Sequence, residues 1–269
     1  MTESPNSIIQ IRGLSASYVS RSFGWFGKKE IKPVLKNINI DIKAAEIFGL
    51  TGESGCGKTT LARCILGLID YEGEIIIDQR KQDGFNPKHN RLVRQPGWLS
   101  HKSCSFSAYG LQNCDNKEVV QKLKFPNNSI IQMVFQDTAS SLNPVKKIGW
   151  LLEEPLVIHR LGAKEQRVQK VDEMLARVGL DSSCKTRWVH ELSGGQKQRV
   201  CIGRALMLQP KILIADEAIS SLDVSAGAQI LNLFRELRDN LGLTIIFISH
   251  NTGAVEYLCD RTLQLTDNR

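Results

Sequence analysis

The stretch GESGCGKTT, residues 52–60, carries the residue types that hold a polyphosphate. It fits the spacing G-x-x-x-x-G-K-[ST]. Gly52, Gly55 and Gly57 let the backbone curl, so that successive N–H groups turn inward on an anion. The helix that starts behind them adds the positive end of its dipole. Glu53, Ser54, Cys56 and Thr60 complete the cradle. Lys58 reaches the β- and γ-phosphates, and the Thr59 hydroxyl is a ligand for Mg²⁺. Cys56 lies inside the loop, so a bulky thiol reagent there is expected to block nucleotide.

Three further groups fit phosphate chemistry. KILIADE (211–217) is an apolar run that delivers two adjacent carboxylates to the end of a strand. Asp216 is expected to hold Mg²⁺, directly or through water. Glu217 is either the base for an attacking water or a cap on the following helix. Gln136 ends the run IIQMVF, where its amide can meet both Mg²⁺ and water. His250 ends LTIIFIS, and a strand-end histidine is often merely structural, so by itself it is weak evidence. LSGGQ (192–196) is a second glycine-rich helix start. Ser193 followed three residues later by Gln196 fits a capping box. Gly194 and Gly195 leave the N–H groups open to a bulky anion. By itself this reads equally well as a capped helix. Two such starts in one chain imply two ligands, or one ligand held from both sides.

The elements that must position these groups are legible in the apolar pattern. IIQIRGLSASY and VLKNINIDIKAAEIFGL alternate apolar with polar, placing Ile38, Ile40 and Ile42 on one strand face; EGEIIID is another short strand. Together they predict an antiparallel region. EIFGL, IIQMVF, KILIAD and LTIIFIS are nearly continuous apolar runs, as in a parallel sheet covered on both faces. Helical patterns lie between them. TTLARCILGL places Leu61, Ile65 and Leu68 on one face and has Gly67 near its end. Residues 146–188 read as two or three helices, and AGAQILNLFRELRDNLG as an amphipathic helix stopping at Gly242.

The 269 residues, 42% hydrophobic and 23% charged, suit one large or two small domains. No run approaches the roughly 20 apolar residues of a membrane span. MTESPNSIIQ lacks the pattern of a signal peptide, so the chain is expected in the cytoplasm. The net charge of +7 is scattered and demands no nucleic acid. Seven cysteines without CxxC spacing read as reduced thiols. Residues 80–129 read as a long polar surface insertion. Its His89, His101, Cys104 and Cys114 match no standard ligand spacing for a metal.

GESGCGKT, Gln136, LSGGQ, ILIADE, SSLD (220–223) and His250, in this order, closely resemble the ATP-binding subunits of ABC transporters. The resemblance runs from about residue 8 to 266. It implies an α/β fold: a P-loop NTPase domain with a RecA-like parallel-sheet core, an antiparallel β subdomain and an α-helical signature subdomain. One domain would span 1–269, with the helical subdomain at about 137–205. Two such subunits, identical or paralogous, would pair head to tail, with ATP between the P-loop of one and the LSGGQ of the other. On this resemblance Tyr18 stacks on adenine. Ser193, Gly194 and Gly195, with Gln196, contact the γ-phosphate in trans, and Asp223 lies in the loop crossing the pair. Glu217 is the general base, His250 the switch histidine, and Gln136 links nucleotide to the membrane subunits. The expected ligands are ATP and Mg²⁺.

QMVFQDTASSLNP, EEPL and FGWFGKKEIKP are similar to the oligopeptide, dipeptide and nickel importer subfamily. QRVCIGRAL and DEAISSLD lean toward the second nickel-importer ATPase. The implied setting is the cytoplasmic face of the membrane, bound to two permease subunits and served indirectly by a solute-binding protein. Three places depart from the subfamily: the ending LTDNR, the length of the 80–129 stretch, and Asn251 where Asp commonly follows the histidine. The competing reading is a soluble ABC ATPase acting on nucleic acid or ribosomes. It lacks the coiled-coil heptads or the second cassette that such proteins carry.

Overall fold

The computed structural model describes residues 7–21, 29–78, 80–81, 105–107, 110–112, 130–136 and 141–266. Most of the 80–129 stretch, with His89, His101, Cys104 and Cys114, lies outside the described residues.

The strands are β1 (Ser7–Arg21), β2 (Lys29–Lys43), β3 (Ile47–Gly52), β4 (Glu72–Ile77), β5 (Arg80–Lys81), β6 (Ser105–Ser107), β7 (Gly110–Gln112), β8 (Ile131–Val134), β9 (Ile212–Asp216), β10 (Thr244–Ile248) and β11 (Arg261–Leu265). The helices are α1 (Lys58–Ile65), α2 (Ile148–Ile158), α3 (Lys164–Arg177), α4 (Gly194–Leu206), α5 (Val224–Leu241) and α6 (Thr252–Leu258), with 3₁₀ turns at Ser182–Thr186 and Val189–Glu191.

The apolar runs form a parallel sheet in the order β11-β3-β10-β9-β8. Successive residues point to opposite faces. Leu213, Ala215, Ile245 and Phe247 enter one apolar cluster with α4 and α5. Ile212, Ile214, Ile246 and Ile248 enter the other with α1 and the antiparallel strands. Both faces are covered, which is why these strands read as unbroken apolar runs. The second sheet has the order β2-β1-β4-β5. In it Ile9 pairs with Ile42 and Ile11 with Ile40, so the alternating positions bury together. Among the described residues β6 and β7 pair only with each other.

Two helices end close to the glycines that the sequence offers, although α1 stops at Ile65 and leaves Leu68, expected on its face, beyond its end. Gly67, at φ 69°, follows α1, whose Leu61 and Ile65 are buried. Gly242, at φ 63°, closes α5 and donates its N–H to the Arg238 carbonyl at 2.9 Å. Residues 146–188 hold two helices and a 3₁₀ turn. Several elements go beyond the sequence expectation: the short strands β5, β6 and β7 in the 80–129 stretch, α6, and the edge strand β11 beside β3. β11 buries only Leu265, so it lacks the apolar run of its neighbours. The five described cysteines carry free thiols. Burial pushes Cys64 and Cys259 up to about 12 and Cys201 up to about 11, which keeps them as inert thiols. Cys104 and Cys114 lie outside the described residues.

Candidate functional site

The parallel register decides which side chains meet. Leu50 of β3 stands beside Ile248 of β10, and Ile248 beside Asp216 of β9. Val134 of β8 pairs with Ala215. The carboxyl ends of four adjacent strands therefore bring the 52–60 loop, His250, the Asp216–Glu217 pair and Gln136 to one edge of the sheet. Ligands of open α/β sheets bind at that edge.

The loop needs glycine at both its ends. Gly52 has φ 142°, and a Cβ there would stand 2.4 Å from the Leu265 carbonyl oxygen. Gly57 has φ 106°, and its Cβ would stand 2.7 Å from Leu35 Cδ2. Either substitution forces backbone or core to move. Glu53, Ser54 and Gly55 form the exposed rim, and Cys56 and Thr60 are buried. Lys58 Nζ donates to the Gly52 and Glu53 carbonyls at 2.8 Å each and lies 3.8 Å from Cys56 Sγ. This holds the ammonium beneath the rim. The Tyr18 hydroxyl lies 3.4 Å from Thr60 Oγ1, which ties β1 to the loop, while the Tyr18 ring stays exposed.

Thr59 donates its hydroxyl to Asp216 Oδ2 at 2.9 Å. Asp216 is buried, and its Oδ1 has no hydrogen-bond partner. Burial, foremost, pushes this carboxyl above its usual range, opposed by the Thr59 bond and reinforced by the charge of Glu217. Arg63 acts on the same carboxyl. The sequence reading passed over Arg63, although it lies four residues after Thr59 on one helix face. A hydroxyl beside a buried carboxylate oxygen without a proton donor is a hard, oxygen-rich donor set. It fits Mg²⁺.

Glu217 is turned out of the strand by a left-handed backbone, φ 52°. Its N–H donates to the Ile248 carbonyl at 2.9 Å, which keeps β9 and β10 joined at the point of turning. His250 Nδ1 lies 2.9 Å from Glu217 Oε1 and 2.8 Å from Oε2. Of the two readings open for Glu217, capping is taken by another residue: Asp223 Oδ1 accepts the Ala226 N–H at 2.8 Å at the start of α5. Asn251 caps α6 in the same way, accepting from the Ala254 N–H at 3.0 Å, so Asn serves there as Asp would. Gln136 is exposed just beyond β8.

The LSGGQ start lies elsewhere. The Ser193 N–H donates to Gln196 Oε1 at 3.0 Å, and Ser193 Oγ accepts the Gln196 N–H at 3.3 Å, so the capping box is formed. Gly194 and Gly195 back onto Leu222 and Ala226. Among the described residues no hydrogen bond or ion pair joins Ser193–Gln196 to the 52–60 loop. Tyr18, the loop, Asp216, Glu217 and His250 are thus linked in one chain of contacts, and Ser193–Gln196 stand outside it, with Ser193 and Gly194 exposed and Gly195 and Gln196 half-buried.

The model of the ABC transporter family matches residues 35–220. A putative peptide import ATP-binding protein of Brucella ovis is 36% identical over 98% of this chain and 70% of its own length. An oligopeptide transport ATP-binding protein of Haemophilus influenzae is 37% identical over 98% of this chain and 71% of its own. Among solved structures, a dimeric ATP-binding cassette in a post-hydrolysis state, bound to ADP and Pi, superposes with a TM-score of 0.69 at 26% identity, covering 97% of each chain. A family match over most of the chain and an α/β cassette fold lead to one assignment: this protein belongs to the ABC transporter family and is one of its ATPases.

Proposed function

We propose that this chain is the energy-coupling ATPase of an importer, and that it owns only half of each nucleotide site. The observation that carries this is the separation just described. One molecule holds a wired phosphate loop and, apart from it, an exposed second anion-binding helix start. A triphosphate held by Lys58 and the loop N–H groups of one copy would meet Ser193, Gly194 and Gly195 of a second cassette, identical or paralogous. Tyr18 offers its exposed ring to the adenine.

Mg²⁺ would be held by Thr59, Asp216 and Gln136, where it supplies neutralisation of phosphate charge. Glu217 takes a proton from water as the water oxygen bonds to the γ-phosphorus and ADP leaves. His250 orients that carboxylate. A triphosphate contacts both cassettes and ADP contacts one, so hydrolysis releases the pair; this is differential binding of one ligand to two states.

Among the described residues no helix is long and apolar enough to cross a membrane. Movement of a solute therefore falls to partner proteins, two permease subunits with a solute-binding protein behind them. This cassette would work peripherally at the cytoplasmic membrane face, docked near Gln136. The named relatives favour a peptide cargo. A nickel or metal-chelate cargo is the second reading, carried by Ala218 after Glu217, where peptide-type cassettes commonly have Pro. The test is purification from membranes with the neighbouring permease, followed by ATPase assay with candidate solutes. Stimulation by peptides but not by nickel chelates fixes the first reading. Failure to bind any permease removes the importer role.

A further inference from the structure

Helix α4 presents its first residues to open surface, yet its flank is held tightly. A Cβ on Gly195 would lie 3.2 Å from Ala226 Cβ of α5. Four residues later, on the same face of α4, Arg199 meets the next turn of α5: its Nη2 donates to Gln229 Oε1 at 3.3 Å. The other arm, Nη1, donates to the Val178 carbonyl at 2.5 Å. Val178 closes α3, where the last carbonyls lack partners within the helix and a cation is favoured. Gly179 follows at φ 68°, and a Cβ there would stand 2.7 Å from Arg199 Nη1. Residue 179 therefore both turns the chain and leaves room for the guanidinium. One side chain ties α4 to the end of α3 and to the flank of α5, the helix that Asp223 caps. It does so five residues from Gly194, about 7.5 Å along the helix axis.

We propose that Arg199 is a positioning residue that fixes the tilt and roll of the signature helix, and so the aim of the N–H groups at Ser193–Gly195. The proposal rests on the half-site reading and adds the residue that orients one half. Its two arms are taken up by the Val178 carbonyl and Gln229, so Arg199 acts through the backbone of α4 and not on nucleotide. A lysine is no equivalent. Its single ammonium lacks the planar fork that spans two divergent acceptors.

The test uses the full chain with its partner cassette, a second copy or the paralogue, both carrying the substitution that corresponds to Glu217→Gln. The fraction paired in Mg-ATP is read by light scattering. A fluorescent ATP analogue titrated into the unpaired chain reports affinity at the 52–60 loop. Arg199→Ala is expected to leave that affinity within about twofold and to weaken ATP-driven pairing about tenfold to a hundredfold, as a misaimed contact does. Arg199→Lys falls between. Gly179→Ala keeps the arginine but displaces it, so it should weaken pairing too. The double variant should then pair no worse than Arg199→Ala, because the two residues act on one contact. Normal pairing in Arg199→Ala, additive losses in the double variant, or a parallel loss of loop affinity and thermal midpoint would each overturn the proposal. A Glu217→Gln protein that never pairs shows instead that the half-site reading has failed, and the proposal goes with it.

Discussion

Thr59 and Asp216 lie 157 residues apart in the chain and are joined by a 2.9 Å hydrogen bond, with the second carboxylate oxygen of Asp216 buried and unpartnered. The contact fastens the phosphate loop to the strand that ends in Glu217. It also keeps a carboxylate where water cannot solvate it, which destabilises the folded protein.

Asp216→Asn should therefore be more stable and inactive. The amide oxygen can still accept from Thr59, and the buried charge is gone. A rise of about 1 kcal/mol corresponds to roughly 2–4 °C in a chain of this size. The pH dependence follows from the raised carboxyl. Wild type is penalised while Asp216 is ionised, and the penalty fades as pH falls through its raised pKa and the folded state takes up a proton. The stability gap between variant and wild type should narrow toward acid pH. Thermal melts across pH check this; a gap that widens toward acid would contradict the burial argument.

Glu217→Gln should keep nucleotide binding and lose hydrolysis. The amide fills the same space beside His250 but accepts no proton from water, so kcat should fall about 10²–10⁴-fold. Binding and single-turnover assays separate the two steps. Hydrolysis at the wild-type rate would place the base elsewhere.

Lys58→Ala should weaken ATP binding more than it disturbs the fold. The ammonium is held under the rim by two carbonyls, and on the proposed reading its charge would face the phosphates. Losing charge-assisted contacts of about 1.5–3 kcal/mol weakens affinity about 10- to 150-fold. Isothermal titration with ATP and with adenosine distinguishes the causes: the loss should appear with ATP and be nearly absent with adenosine.

What could be read beforehand was whatever is encoded locally. Glycine spacing announced the 52–60 loop. The nearly continuous apolar runs KILIAD and LTIIFIS announced the sheet, and Ser193–Gln196 announced the start of α4. What stayed hidden depends on neighbours distant in sequence. β11 is a strand because β3 offers it an edge, and its own residues bury only at Leu265. Spacing left Glu217 open between base and cap; the residue that caps α5 is Asp223, six positions further on. Nothing near residue 199 announces that it will meet Val178 and Gln229. That meeting depends on how three helices stack.

Gly194 offers the sharpest separation of fold from function. A Cβ there would lie 3.4 Å from Leu222 Cδ2, an ordinary contact, and its φ is not in the left-handed region. Gly194→Ala should therefore fold normally, within about 0.5 kcal/mol of wild type. It should bind ATP normally at its own loop, which shares no described contact with residue 194. The added methyl would nevertheless stand where a second cassette's triphosphate must approach, so the damage should fall on the neighbour's site. Mixing the variant with a wild-type partner whose own loop is disabled by the change equivalent to Lys58→Ala leaves one intact loop, on the variant chain, facing an intact signature. That mixture should retain hydrolysis. The reverse mixture, with the intact loop facing Gly194→Ala, should lose it about tenfold or more. Equal rates in the two mixtures would mean that residue 194 serves its own chain, and the two helix starts would then be two separate sites.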